Sequence, residues 1–437
     1  MKASVHPTMI SRFHVKNFRS IVDLDLSFRF GEKQAPNGYK SMNTWPFLEN
    51  KTGRFVPCLA IYGPNAGGKT NIVRAFQAFK GLVWGKSAAV QYDPNRLHPE
   101  LKETVMELEW SQGSVLYELS LRYTGDGIVH ESLSLNGNEL YSIDNAKGRF
   151  DQLAVPEYSP EYTPERLQTI LNVECTTADD HQQQSLFLKT LASKYMGLNA
   201  AVTKAWYALT FFIHTYPDNE APTWLAIDVL EGSVDKHQQE RMRERVFELI
   251  QRLDLGIKGI DYKREVSPSD EAREWERGQE PCSILEKGTD LRCDSIYTWH
   301  EDTQGKLVRF NVNEESRGTR LLIGLCCLIV AALETGRTMI IDEIDQSLHP
   351  LLLETIVRLF KSKEHNRHNA QLIFTTHTTD LLANQLLRTS EVAIVEKNLA
   401  QGTQLVRLSD IRGIRNVTDY RRRYLEGELG GIPFPYL

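Results

Sequence analysis

The chain has 437 residues, and 51 Lys and Arg against 57 Asp and Glu give it a formal net charge of −6. Charged residues make up 25% and hydrophobic ones 41%, ordinary fractions for a chain that buries a core, so wholesale disorder is excluded. The acidic balance argues against coating nucleic acid by bulk charge, and leaves a local basic groove open.

The start, Met1 to Phe13, is broken by polar residues and Pro7 and does not read as an export signal. Phe13, Val15 and Phe18, then Ile21, Leu24, Leu26 and Phe28, alternate with polar residues and predict two strands. Gly31 to Arg54 is polar and reads as a surface insertion. Val56 to Tyr62 is a short apolar run, the pattern of a buried strand, and Thr70 to Phe79 has helical spacing. Residues 103–142 alternate and predict an antiparallel meander, turning at Gly125-Asp126-Gly127. Residues 143–180 carry no periodic signal, Ser185 to Thr215 is apolar at helical spacing, and Gln238 to Leu253 predicts a charged helix.

The stretch from Ser267 to Asp294 is polar and reads as a loop or a mobile excursion. Leu321 to Leu333 has helix length. As the longest apolar run, it falls short of the roughly 20 residues a bilayer span needs, so no membrane is expected. Thr338 to Ile341, Leu372 to Thr375 and a final run Val392 to Val395 read as strands, with helices over Leu351 to Phe360 and Thr379 to Leu387. This alternation is the pattern of a parallel sheet with crossover helices. The six cysteines form no CxxC pair, and Cys326 and Cys327 sit inside the apolar run as small core residues, so a reducing cytoplasm is the expected setting.

Two motifs carry chemistry. Gly63-Pro64-Asn65-Ala66-Gly67-Gly68-Lys69-Thr70 fits the P-loop pattern in full, between an apolar strand and an amphipathic helix. A triphosphate presents crowded oxygens that side chains would obstruct. Glycines let backbone N–H groups close around them, and the helix points its positive end at them. Lys69 would bridge the β- and γ-phosphates, and the Thr70 hydroxyl would bind Mg²⁺. Downstream, the apolar run Thr338 to Ile341 leads into Asp342-Glu343. A strand ending in two carboxylates, set beside the P-loop strand, is the Walker B arrangement: Asp342 would hold Mg²⁺ and Glu343 would polarise the attacking water.

Order and spacing then point to a family. Asn17-Phe18-Arg19-Ser20 opens the chain, Glu315-Ser316-Arg317-Gly318-Thr319-Arg320 precedes the apolar helix, Asp342-Glu343-Ile344-Asp345 runs on to Leu348-His349-Pro350, and Leu372 to Thr375 leads through Thr376 to His377. Together with the P-loop these resemble the ABC-type ATPases of the RecF, SMC and OLD group. Among them they are most similar to ATPase subunits of bacterial anti-phage operons, such as the abortive-infection and PARIS systems. Leu253-Asp254-Leu255-Gly256-Ile257, Tyr424-Leu425-Glu426-Gly427 and Gly430-Gly431-Ile432-Pro433 also look like that subgroup.

The resemblance implies an α/β ABC-type P-loop head with a mixed sheet, an antiparallel β-subdomain and a helical insertion. The expected boundaries are 1–142 for the first half of the head, 143–310 for the insertion and 311–437 for the second half. It implies that Ser316 and Gly318 form the signature that covers the γ-phosphate held by a second subunit, that Asp345 is the D-loop position, that His377 senses the γ-phosphate, and that Arg19 contacts nucleotide. It also implies ATP and Mg²⁺ as cofactors and a dimer at least, closing on ATP. The signature departs from the Leu-Ser-Gly-Gly of transporters, and Gln91 is a Q-loop candidate by position alone.

Plainer readings exist for some of these residues. Ser316 is also a natural N-cap, and an exposed histidine such as His377 often serves only in local hydrogen bonds. The arginines 412, 415, 421, 422 and 423 suit phosphates, an acidic partner, or simple pairing with neighbouring carboxylates. Arg241, Arg243, Arg245 and Arg252 alternate with Glu240, Glu244 and Glu248, the pattern of a solvated, salt-bridged face. The apolar residues of Phe187 to Phe212 suit the core or a partner interface. Only 437 − 377 = 60 residues follow His377, too few for a nuclease domain. The expected function is therefore an ATP-hydrolysing sensor or scaffold of an anti-phage defence system. It would answer a phage-encoded trigger and control a separate effector protein, a nuclease or toxin. The alternatives are a RecF-like DNA-repair ATPase that clamps DNA, and a structural assembly protein that binds ATP and seldom turns it over.

Overall fold

The computed structural model describes residues 8–30, 45–46, 54–113, 115–150, 159, 161–176, 183–216, 236–253, 256–268, 285–287, 290–346, 348–383, 386–398, 402–414 and 419–432. Most of the expected Gly31 to Arg54 insertion, and Asp254, Leu255, Arg415 and Pro433, lie outside them.

Thirteen strands form one sheet. In chain order they are β1 (Thr8–Phe18), β2 (Ile21–Ser27), β3 (Cys58–Tyr62), β4 (Thr104–Gln112), β5 (Val115–Tyr123), β6 (Ile128–Leu135), β7 (Asn138–Asp144), β8 (Lys147–Phe150), β9 (Ile213–Tyr216), β10 (Thr338–Ile341), β11 (Gln371–Thr375), β12 (Val392–Asn398) and β13 (Gly402–Arg407). Their spatial order is β8-β7-β6-β5-β4-β1-β2-β13-β12-β3-β11-β10-β9. The sheet is mixed: β12, β3, β11, β10 and β9 run parallel, and the rest pair antiparallel. The meander of residues 104–150 is therefore continuous with the strands that carry the P-loop, through β1 and β2, with β2 meeting β13 at the single pair Ile21 and Gly402.

Pattern explains the difference in composition between the two parts. The central parallel strands are covered on both faces and read as unbroken apolar runs, as in Cys58–Tyr62, where every residue is buried. In β1 the later positions alternate buried and half-buried, as a strand with one wetter face does.

Helix α1 (Lys69–Trp84) buries Ile72, Val73, Phe76, Phe79, Leu82 and Val83, the stripe its spacing demands. Phe76 stacks on Phe13 of β1 with centroids 3.9 Å apart. The same core takes in Leu167, Phe187, Leu191, Ala205 and Leu209, so most apolar residues of Phe187 to Phe212 serve the domain's own packing, while Met196, Tyr207 and Phe211 remain exposed.

Contacts divide the chain into two units, the first comprising Met1–Asp218, Leu333–Asp345 and Leu353–Leu437, the second Asn219–Ala332 and Gln346–Leu352. The expected insertion, begun at residue 143, is thus entered later: the helices between Pro164 and Tyr207 join the first unit's core. The second unit holds the charged helix Lys236–Arg252 and an antiparallel sheet of Gly259–Pro268, Leu285–Lys287, Asp290–Glu301 and Leu307–Asn311.

Three sequence expectations change. Helical spacing through Thr215 ends early, because Ile213-His214-Thr215-Tyr216, rich in β-branched and aromatic residues, is the strand β9. Part of the Ser267 to Asp294 stretch is strand rather than loop, since Leu285–Lys287 pairs antiparallel with Asp290–Arg292 and Ser267–Pro268 with Asp290–Leu291. The run Val392 to Val395 is not final, since β13 follows it. Helix α2 (Arg317–Thr335) outruns its apolar run to reach 19 residues, and 67% of its most apolar 18-residue window is buried, as in a core helix.

Candidate functional site

β3 delivers the chain into the loop 63–68, and α1 carries it away. Gly63 cannot be replaced without moving the backbone: a Cβ there would lie 2.2 Å from the Val395 carbonyl oxygen. Gly68 caps α1 at φ +107°, a conformation that favours glycine, and a Cβ there would strike Thr403. The six residues from Gly63 to Gly68 therefore form a tight turn held from behind by β12 and β13. Asn65 and Ala66 are exposed at its crest, with Ala66 at φ +61°, while Gly67 is buried. Thr70 is half-buried in the first turn of α1.

Lys69 is only 5% exposed and its Nζ donates to Gly63 O at 2.8 Å and Pro64 O at 3.1 Å, so the ammonium spans the loop. Burial lowers its pKa, and the carboxylates of Glu343, Asp342 and Asp345 hold it up. The lysine of the P-loop and the acids of the second motif thus share one electrostatic neighbourhood, 273 residues apart in sequence for Lys69 and Asp342 (342 − 69).

The carboxylate strand β10 is not next to the P-loop strand. β11 lies between them, pairing with β3 on one side and β10 on the other. That corrects the expectation of adjacency, and it introduces a residue that sequence reading missed. Thr375, the last residue of β11, donates its hydroxyl to Asp342 Oδ1 at 2.5 Å and accepts the Glu343 N–H at 2.7 Å. Asp342 is 3% exposed, and its own N–H donates to Tyr216 O at 2.9 Å. Glu343 is half-buried at φ +46°, so its backbone bends sharply where the strand ends. A hydroxyl closing an apolar strand just before His377 was the available signal for Thr375.

His377 is exposed, directly beyond β11. Its N–H donates to Asp345 Oδ2 at 3.1 Å, and the Thr378 hydroxyl donates to the same oxygen at 3.0 Å. The other oxygen, Oδ1, is buried without a hydrogen-bond partner. Lys69, Asp342, Glu343, Asp345 and His377 are thereby gathered around the ends of β3, β11 and β10.

Arg19 sits at φ +52° in the β1–β2 turn, with its N–H on Asp93 O at 2.7 Å and its Nε 3.3 Å from the Asp93 carboxylate. It lines a cleft of about 360 Å³ with Ser20, Asp93, His98, Lys397 and Gly402. A short chain joins this cleft to the loop: Ser20 Oγ bonds Asn71 Nδ2 and Thr403 Oγ1, both at 2.6 Å. Gln91 lies elsewhere, packed on Gly81, three turns along α1 from Lys69.

Ser316 and Gly318 belong to the second unit. Ser316 is exposed, and its Oγ accepts the Thr319 N–H at 3.1 Å, so the capping role is filled. Of the arginines near the C-terminus, Arg421 pairs with Asp380, Arg422 with Glu426 and Arg423 with Glu428, the plainest of the three readings.

Among the described residues no group of three His, Cys, Asp or Glu side chains could hold a metal alone. The Thr70 hydroxyl and the Asp342 carboxylate are nevertheless hard oxygen donors. They suit a Mg²⁺ ion that takes its remaining ligands from phosphates and water.

Residues 188–383 match the family described as AAA domain, putative AbiEii toxin, Type IV TA system. The matched span contains Ser316, Asp342, Glu343, Asp345 and His377, and the P-loop precedes it. A search of curated proteins finds no match. Among solved structures, the SMC head domain from Thermotoga maritima aligns at 14% identity over 91% of this chain and 98% of that one, with a TM-score of 0.40. The recombination mediator RecF with ATPγS aligns at 12% identity over 93% and 99%, with a TM-score of 0.41. An SMC head bound to the C-winged helix domain of ScpA aligns at 14% over 91% and 96%, with a TM-score of 0.42.

Proposed function

We propose that this chain is a Mg²⁺-dependent ATPase of the ABC type that closes in pairs on ATP. The observation that carries this reading is the convergence of Lys69, Asp342, Glu343 and Asp345 at the end of a buried parallel strand, with the P-loop opening onto α1. In this reading the loop N–H groups and Lys69 hold the β- and γ-phosphates, and the nucleoside lies toward the Arg19 cleft. Mg²⁺, held by Thr70 and Asp342, would neutralise charge developing on the phosphates. Glu343 orients the attacking water, and His377 reports the γ-phosphate to Asp345 through the hydrogen bond between them.

Ser316 and Gly318 of a second copy would cover the γ-phosphate. The exposure of Ser316 supports this, as does the helix N-terminus behind it. The finer reading is an anti-phage sensor or scaffold in the cytoplasm that controls a separate nuclease or toxin; the family matched over residues 188–383 is described as a putative toxin of a toxin–antitoxin system, and that description does not itself separate sensor from effector. Lys69→Ala tests the proposal. ATP affinity, measured by calorimetry, is expected to fall at least 100-fold, on the order of 3 kcal/mol, and phosphate release to vanish. Unchanged affinity overturns it.

A further inference from the structure

On the first unit, the end of α1 meets the segment 187–216. Trp206 Nε1 donates to Val83 O at 3.1 Å, the Lys80 ammonium donates to Ile213 O, and Lys189 lies over Gly85 so closely that a Cβ there would meet its Nζ at 2.1 Å. The junction presents rings to solvent: Trp84 is 47% exposed, Tyr207 41% and Phe211 43%. Trp84 contacts Trp206 and Phe211 edge-on, at 6.4 and 6.0 Å, and Tyr207 stacks on Phe211 at 5.3 Å. Large exposed rings gathered in one place mark a surface that meets something.

The charge around them has one sign. Neither residues 69–92 nor residues 187–216 contain any Asp or Glu, although acids outnumber bases in the whole chain. Lys194 is paired with Glu174. No carboxylate among the described residues pairs with Lys80, Lys86, Lys189, Lys204 or Arg337, and Arg337 Nε is buried with no hydrogen-bond partner. Burial, with Arg337 nearby, brings Lys80 down to about 8. Burial, then Lys80 and Arg337, bring His214 down to about 3. The local field is positive and uncompensated.

Cores of protein interfaces favour aromatics but shun lysine. Rings set among unpaired lysines suit a polyanion whose units also carry flat π faces. We propose that this surface binds a single-stranded polynucleotide, with bases stacked on Trp84, Tyr207 and Phe211 and phosphates on the lysines around them. Phosphates and base faces are common to DNA and RNA, and the proposal stands independently of ATP turnover.

The test is fluorescence anisotropy on the full chain with oligothymidylate and oligouridylate of about 20 nucleotides, and with a duplex of equal length. One or both single strands should bind more tightly than the duplex, with affinity falling about 50-fold between 50 and 200 mM salt if four phosphates are contacted. Trp84→Ala with Phe211→Ala should weaken binding about tenfold or more while ATP affinity and circular dichroism stay unchanged. Lys86→Glu with Lys204→Glu, which leaves the rings in place, should weaken it as well and reduce the salt dependence. Absence of binding, preference for duplex, or indifference to both variants overturns the proposal. So does a wild type that binds neither strand and whose oligomeric state changes in the Trp84/Phe211 variant, which would assign the patch to a second copy or another protein.

Discussion

Thr375 supplies one hydroxyl to two acidic residues. It fixes the buried Asp342 carboxylate and receives the N–H of Glu343, whose positive φ needs support. Thr375→Val keeps the shape and removes both bonds. It leaves a buried acceptor and a backbone donor short of a partner, a loss of about 1–3 kcal/mol in stability. Turnover should fall about 10- to 100-fold with ATP affinity little changed, because the residue orients the acids rather than touching phosphate. Thr375→Ser should recover most of the rate, whereas wild-type turnover in the valine variant would remove Thr375 from the mechanism. Glu343→Gln should bind ATP yet release phosphate at least 100-fold more slowly, about 3 kcal/mol on the barrier. The ATP-bound pair should then persist through gel filtration. A monomer under ATP would count against closure in pairs.

At the scale of elements, one buried acid fastens the helices of residues 164–212 to the meander. Glu131 of β6 is fully buried and accepts the N–H groups of Phe187 and Leu188, both at 2.8 Å, at the start of helix Phe187–Lys194. The Tyr141 hydroxyl and the Gln183 amide complete four donors to its two oxygens. The carboxylate caps a helix from another element, satisfying N–H groups that the helix leaves open. In Glu131→Gln an NH₂ would face two of those donors, one of them a backbone N–H, so unfolding free energy in urea should drop by about 2–4 kcal/mol. A shift under about 0.5 kcal/mol, the usual range for surface changes, would refute the cap.

Such contacts explain what could be foreseen from sequence. Strands with unbroken apolar runs and helices with a clear stripe were legible, as in Cys58–Tyr62 and α1, because their pattern is local. β9 was not. Four residues are too few to show a period, and its place beside β10 depends on chain far away. The P-loop and Asp342-Glu343 could be recognised because their chemistry is written in contiguous residues. Glu131 and the Ser20–Thr403 link could not, since each acts across more than 30 residues on a partner that only folding supplies, and Thr375 left only the hydroxyl at its strand's end as a signal.

Across the whole molecule, β1 is the seam between the meander and the strands that carry the P-loop. Along one face Arg12 pairs with Asp25 and Glu107, His14 with Glu107 and Asp23, and Lys16 with Asp23. The hydrogen bond to Glu107, then that to Asp23, holds the His14 imidazole above its ordinary value of 6.5 against the opposing effect of burial. Its contribution is complete below that value and is lost as pH rises through the raised one. Glu107 is held below its ordinary 4.5 by the bond to His14, so its share is present above that value and is lost on acidification. Stability should therefore fall as pH rises from the ordinary histidine value of 6.5 through the raised one. His14→Asn should flatten that slope, and an equal slope in the variant would show that another group causes it.

The placing of β11 between β3 and β10 has one more consequence. Side chains of a strand face alternate ways, so a slip of β11 by a single position would turn Thr375 to the opposite side and set Phe374 or Thr376 near the acids. The chemistry at this site thus inherits its tolerance from backbone pairing several residues away. Substitutions buried deep in that strand, such as at Leu372 or Phe374, could silence turnover with every polar group still present.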